Sequence, residues 1–248
     1  MSLPGSSPPV GPPTGFPQCR PCPYARTGPA WVCTACATST FETVIQPACP
    51  VCDQILPGSG TCPNWLCSDS SRKIARIRAI AYHSGPLRQV ILDYKYQGST
   101  GWALIFGRLV LGWLETHAAS QPPGLIVANP TYTGAGRFPH TEAVLQHAAN
   151  EDMQQRWPLD TASPPAVAKT GPTPPSAGSS ASAKAAAAAA LRTVISVPDP
   201  SRTQGRHILV YDDVCTTGSQ LNAVADCLLS EGRAAYVEAL VLARAPWR

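Results

Sequence analysis

The run His207-Ile208-Leu209-Val210-Tyr211-Asp212-Asp213-Val214-Cys215-Thr216-Thr217-Gly218-Ser219-Gln220-Leu221 decides how the chain folds. Ile208 to Tyr211 is an unbroken apolar segment and predicts a buried strand. Two adjacent carboxylates stand at its carboxyl end, and Thr216-Thr217-Gly218-Ser219 then opens a helix. Leu221, Val224, Ala225, Leu228 and Leu229 recur at helical spacing, and a second strand is expected from Tyr236 to Ala243, after Gly232. Strand, helix and strand in this order make a parallel crossover unit. The fold class expected is α/β, an open, mainly parallel sheet with helices on both faces.

The same run carries chemistry. Backbone N–H groups of Thr217, Gly218 and Ser219 at a helix start form an anion site, and Gly218 allows a phosphate to approach closely. Thr216, Thr217, Ser219 and Gln220 add polar side chains beside it. Asp212 and Asp213 would repel that phosphate and suit two vicinal hydroxyls, with a divalent cation such as Mg²⁺ nearby. A ribose 5-phosphate offers both faces. A plain strand-to-helix turn accounts for one Asp and one hydroxyl, not for this whole series.

Eight of the ten cysteines lie between positions 19 and 67, as Cys19/Cys22, Cys33/Cys36, Cys49/Cys52 and Cys62/Cys67. Paired thiolates separated by about ten residues have zinc-knuckle spacing, and eight ligands fill two tetrahedral sites. Met1 to Pro17 is Pro/Gly/Ser-rich, with neither the basic start nor the apolar core of a secretory signal. A reducing cytoplasmic setting is therefore expected, and thiolate–zinc over disulfides. Sequential pairing (first two pairs, last two pairs) is the simplest arrangement, and an interleaved one fits the spacing as well. Trp31, Phe41, Val44, Ile45 and Trp65 are too few for an independent core, so the metal would supply the fold of this ribbon.

The expected organisation is a disordered tail over 1–18, a double zinc ribbon over 19–70, and an α/β domain over 71–248. The net charge of +4 is too modest to mark a nucleic-acid binder. Trp102 to Leu114, the most apolar stretch, is short and carries Arg108, which excludes a transmembrane helix there.

Val210-Tyr211-Asp212-Asp213-Val214-Cys215-Thr216-Thr217-Gly218-Ser219 resembles the phosphoribosyl-pyrophosphate (PRPP) motif of type I phosphoribosyltransferases. With the cysteine-rich head, the chain resembles the ComF family of competence-associated phosphoribosyltransferase-like proteins. That resemblance implies two structural zinc ions, Mg²⁺, and PRPP or another ribose 5-phosphate as ligand. It implies that Asp212 and Asp213 are catalytic and that Thr216, Thr217, Gly218, Ser219 and Gln220 hold the 5-phosphate. The pyrophosphate loop would follow the expected strand Leu125 to Ala128 and comprise Pro130, Thr131, Tyr132, Gly134 and Arg137, with Phe138, His140 and Glu142 at the next helix. His140 stands where the family usually has Gln, and Arg137 is all that remains of its arginine cluster. Lys169 and Thr170, with Thr173 and Pro174, fall where the family places a mobile loop. The Pro/Ser/Ala/Gly-rich stretch of about 160–182 is expected to be that flexible loop.

Further apolar patterns predict an edge strand at Ile77 to Tyr82, and a helix through Leu87, Val90, Ile91 and Tyr94 ending at Lys95-Tyr96-Gln97-Gly98. A core helix is expected from Trp102 to Trp113, and another through the alanine run Ala185 to Ala190, followed by a strand at Val194 to Val197. Arg72, Lys73, Arg76 and Arg78 are read as a solvated linker with outward charges, nucleic acid or substrate phosphate being the alternative. Cys215 is read as a bystander and Cys227 as packing. Three functions remain: phosphoribosyl transfer to an acceptor the sequence does not encode, non-catalytic PRPP or nucleotide sensing, and an accessory role in DNA uptake. In the last, the zinc module meets a protein or single-stranded DNA. No membrane partner is expected, and homo-oligomerisation is left open.

Overall fold

A computed structural model describes residues 42, 44, 46–58, 60–173 and 180–247. Cys19, Cys22, Cys33 and Cys36, the expected tail, and Pro174 lie outside the described residues.

Four parallel strands form the main sheet: β1 (Ile77–Tyr82), β2 (Leu125–Ala128), β5 (His207–Cys215) and β6 (Tyr236–Arg244), in the order β1-β6-β5-β2. Val210 sits opposite both Val127 and Ala239, so the expected strand is central and flanked on both sides. A short antiparallel pair, β3 (Ala168–Lys169) with β4 (Ile195–Ser196), lies apart from it.

The sheet's two faces are buried by different helices. Leu209 and Tyr211 belong to a core with α2 (Gly85–Tyr96), α3 (Trp102–His117) and α4 (His140–Glu151). Ile208 and Val210 belong to a core with Leu66 of the short α1 (Trp65–Ser68), α5 (Ala181–Arg192) and α6 (Ser219–Ser230). Burial on alternate sides is why the strand reads as continuously apolar. At Gly107 on α3, an added Cβ would stand 2.8 Å from the Ala148 nitrogen of α4, so these two helices meet backbone to backbone. No helix among the described residues is long and apolar enough to cross a membrane.

Both sheet edges are covered, which removes the hazard of unpaired strand groups. Beside β2, Ile126 N–H donates to Pro158 O, and Asp160 N–H donates to Ile126 O. Beside β1, Ile77 N–H donates to Val51 O and Tyr82 N–H to Glu42 O.

Two expectations change. The run Arg72 to Arg78 is not a solvated linker. Arg72 donates to the carbonyls of Leu66, Cys67 and Ile74, Arg76 pairs with Glu238, and Arg78 meets Asp53 at 2.9 Å. Arg72 and Arg78 tie the cysteine segment to the sheet and Arg76 braces β6, while Lys73 remains exposed. The stretch expected as one flexible loop is anchored at its start. Asp160 accepts from Ala166 N–H, Ala166 and Val167 are buried, and β3 pairs with β4.

Candidate functional site

The cysteine segment has the geometry of a metal site. The sulfurs of Cys49, Cys52, Cys62 and Cys67 lie within 4.8 Å of one another. The Cys49–Cys67 and Cys52–Cys62 sulfur separations are 3.7 and 3.8 Å. Four thiolates about 2.3 Å from one zinc stand about 3.8 Å apart. The four cysteines can therefore hold a metal ion such as zinc. They are the last two pairs of the sequential arrangement. Asp53, in a left-handed conformation (φ 52°), lets the first knuckle turn back, so that Cys49 N–H reaches Gln54 O.

At the carboxyl ends of β5 and β2 the chain encloses a cavity of about 650 Å³. Asp212, Asp213, Thr216, Thr217, Gly218, Ser219 and Gln220 form one wall. Pro130, Thr131, Tyr132, Arg137 and Lys169 also line it. Gly134 does not, its α-carbon facing the Tyr132 ring, nor does Thr170, which donates to Val194 O. Lys95, Asn129, Phe138, His140 and Thr173 are also among the lining residues.

Gly218, in a left-handed conformation (φ 83°), is the N-cap residue of α6, and the first helical N–H, that of Ser219, donates to Thr217 Oγ1 at 3.3 Å. A helix start of this kind favours an anion through its dipole. The space behind Gly218 is closed: a Cβ there would stand 2.7 Å from Ile77 Cδ1 and 3.0 Å from Leu66 Cδ2. The glycine is needed to let the loop lie on the core, not to clear room for a phosphate.

β5 continues through both acids, which are not at an open end: Asp212 and Asp213 are 8% and 3% exposed. Strand alternation sends them to different partners. Asp213 follows Leu209 and Tyr211 toward α2 and α4, where Lys95 Nζ lies 2.8 Å and His140 Nε2 3.2 Å away. Burial opposes its charge, but Lys95 and His140 more than offset that and hold its carboxyl below the usual range. Asp212 accepts from Asn129 Nδ2 and from Asp213 N–H, both at 2.9 Å. Burial, then the Asp213 charge, pushes Asp212 up to about 7. The paired acids are thus unequal: one is held ionised and the other titrates near neutrality.

These contacts also decide how the acids fit Mg²⁺. Both Asp213 oxygens face Lys95, and Asp212 is occupied by amide donors. The acids do not fit as a ready pair of divalent-cation ligands.

Facing them, Lys169 donates to Thr173 Oγ1 at 2.7 Å. Burial, then repulsion from Arg137, lowers its ammonium's affinity for its proton. Two neighbouring cations in a cavity suit a polyanion. Thr131 is less free, since its N–H donates to Glu142 Oε1 at 2.7 Å and its hydroxyl meets that of Thr141.

Lys95 and Asn129 lie outside the expected site residues, and His140 is expected only at the helix after the pyrophosphate loop, not on Asp213. Lys95 was visible in the Lys95-Tyr96-Gln97-Gly98 segment and Asn129 in the Asn-Pro turn after a buried strand, but neither motif says which carboxylate it meets. No family model and no curated protein matches the chain. What stands is an α/β chain with a parallel sheet and a four-cysteine cluster.

Proposed function

We propose that the chain binds PRPP and transfers its phosphoribosyl group to an acceptor, as the resemblance to type I phosphoribosyltransferases implies. The observation that carries the reading is the layout of the cavity. The glycine-led start of α6 lines it, two buried acids line it beside that start, and Lys169 and Arg137 line the same space. A 5-phosphate seated in the Thr216 to Gln220 loop sets the ribose hydroxyls toward the acids, Asp212 being the better acceptor once ionised. Lys169 and Arg137 then receive the pyrophosphate. As the C1–oxygen bond to pyrophosphate breaks, its electron pair leaves with the phosphate oxygens, and the acceptor forms the new bond to C1. Charge grows on the leaving group, so cations placed there act most strongly in the transition state. Mg²⁺ is not assigned protein ligands in this scheme.

One observation favours a second reading, PRPP binding without transfer: Glu142 and Thr141 already engage Thr131, leaving Arg137 and Lys169 as the cations at the leaving-group end. Calorimetric titration with PRPP and ribose 5-phosphate, alongside an assay of pyrophosphate release, separates the readings. Lys169→Ala and Arg137→Ala are expected to weaken PRPP binding by about 1.5–3 kcal/mol, the scale of a charged hydrogen bond, and to leave ribose 5-phosphate unaffected. Equal losses for both ligands would refute the placement of the pyrophosphate. Tight binding without release under any acceptor tried would select the second reading.

A further inference from the structure

The cysteine cluster and the phosphate loop are in direct contact. Asn64, between Cys62 and Cys67, is fully buried. Its Oδ1 accepts from Leu66 N–H, and its Nδ2 donates to Thr217 O at 2.9 Å. Arg244, at the end of β6, is also fully buried. Its Nε donates to Cys52 O at 2.9 Å, Nη2 lies 3.6 Å from Cys52 Sγ, and Nη1 donates to Cys215 O at 2.9 Å and to Thr216 O. Trp247 Nε1 donates to Thr216 O as well, at 3.2 Å. The carbonyls of Cys215, Thr216 and Thr217 are therefore all held, the first two by Arg244, which is itself bonded to the ribbon at Cys52, with Ala245 N–H also on Cys215 O, and the third by Asn64 within the ribbon.

A trans peptide points its N–H opposite to its C=O. Holding these three carbonyls turns the N–H groups of Thr216, Thr217 and Gly218 the other way, toward the cavity they line. Leu66, from the ribbon, also closes the space behind Gly218. We propose that the metal-bound ribbon orients the oxyanion loop, with Asn64 and Arg244 as positioning residues, so that metal occupancy and phosphate affinity rise and fall together. This rests on reading Thr216 to Gln220 as the phosphate cradle. A flipped or mobile peptide here would present a carbonyl lone pair to the phosphate in place of a donor. The ribbon is thus part of the ligand site and not a detachable cap.

The test uses the full chain, purified with its metal, and two variants. Asn64→Ala removes the donor to Thr217 O; Asn64→Asp replaces it with an acceptor of the same shape. Ribose 5-phosphate and inorganic phosphate are titrated calorimetrically, and the amide resonances of Thr216, Thr217 and Gly218 are followed by NMR. Asn64→Ala is expected to lower ribose 5-phosphate affinity about tenfold, as one lost orienting hydrogen bond would, and Asn64→Asp further. Both should shift the three amide signals. A series of wild-type samples loaded with zinc to different extents should show affinity and amide signals following metal content, which keeps the test independent of whether the variants fold. Amide signals that ignore both Asn64 and metal content would overturn the proposal, as would affinity that ignores them. A wild-type protein that binds neither phosphate probe would sink the cradle reading, while the amide signals would still decide whether the ribbon orients the loop.

Discussion

Replacing Lys95 by Met removes the cation nearest Asp213 and leaves a carboxylate that is 3% exposed facing His140. Two unit charges 2.8 Å apart attract by about 6 kcal/mol at an effective dielectric of about 20, before desolvation is subtracted. Removing one partner of a buried pair typically costs about 3–5 kcal/mol, because the other is left uncompensated. Lys95 keeps 21% of its side chain exposed and His140 remains, so a loss of about 2–3 kcal/mol is expected at neutral pH. The pH dependence carries the diagnosis. In the wild type the Asp213 carboxyl lies below its unfolded value, so the stability it contributes is present above that value and is lost as pH falls through the folded one. In Lys95→Met burial prevails and raises the carboxyl, so the penalty grows as pH rises and fades in acid. Urea unfolding of both proteins from pH 8 down into strong acid measures the gap. It should be widest above pH 7, narrow as the variant's raised carboxyl takes up its proton, and close only as pH falls through the lowered wild-type value. Adding Asp213→Asn should recover much of the loss, because the double variant buries neither charge. A gap that does not vary with pH, or losses in the two variants that simply add, would refute the reasoning.

Other outcomes follow from the same contacts. Gly218→Ala puts a side chain at a φ of 83°, which is strained for an L residue, and a Cβ 2.7 Å from Ile77 Cδ1, so the loop or the buried methyls beneath it must shift. Ribose 5-phosphate and PRPP binding should both fall at least tenfold, and calorimetry showing unchanged affinity would contradict the loop geometry. Elemental analysis of protein purified without chelator should find zinc, with at least one ion per chain at Cys49, Cys52, Cys62 and Cys67, and two if Cys19, Cys22, Cys33 and Cys36 form a second site. A chain without zinc would remove the metal reading altogether.

Much of the architecture was legible in local patterns. Ile208 to Tyr211 and Leu125 to Ala128 read as strands, because a strand buried on both faces leaves a continuous apolar run, while Ile77 to Tyr82, interrupted by Arg78, reads as an edge strand. Leu221, Val224, Ala225 and Leu228 read as a buried helix face, because a helix repeats every 3.6 residues. Cysteine spacing marked Cys49, Cys52, Cys62 and Cys67 as ligands, since two short knuckles need only local backbone turns to bring four sulfurs together. The acids and the Thr-Thr-Gly-Ser turn were visible for the same reason: strand, loop and helix start are contiguous. Partners distant in the chain were not visible. Asp213 meets Lys95 across 118 residues and Asn64 meets Thr217 across 153, pairings that no local period encodes. Which acid is held ionised depends on which sheet face it occupies and which helix covers that face. The basic run from Arg72 to Arg78 looked solvated because its acceptors, among them Glu238, Asp53 and the Leu66 carbonyl, come from a late strand and from the cysteine segment. Burial and charge pairing belong to the assembled molecule, because they depend on what packs against a residue and not on what precedes it.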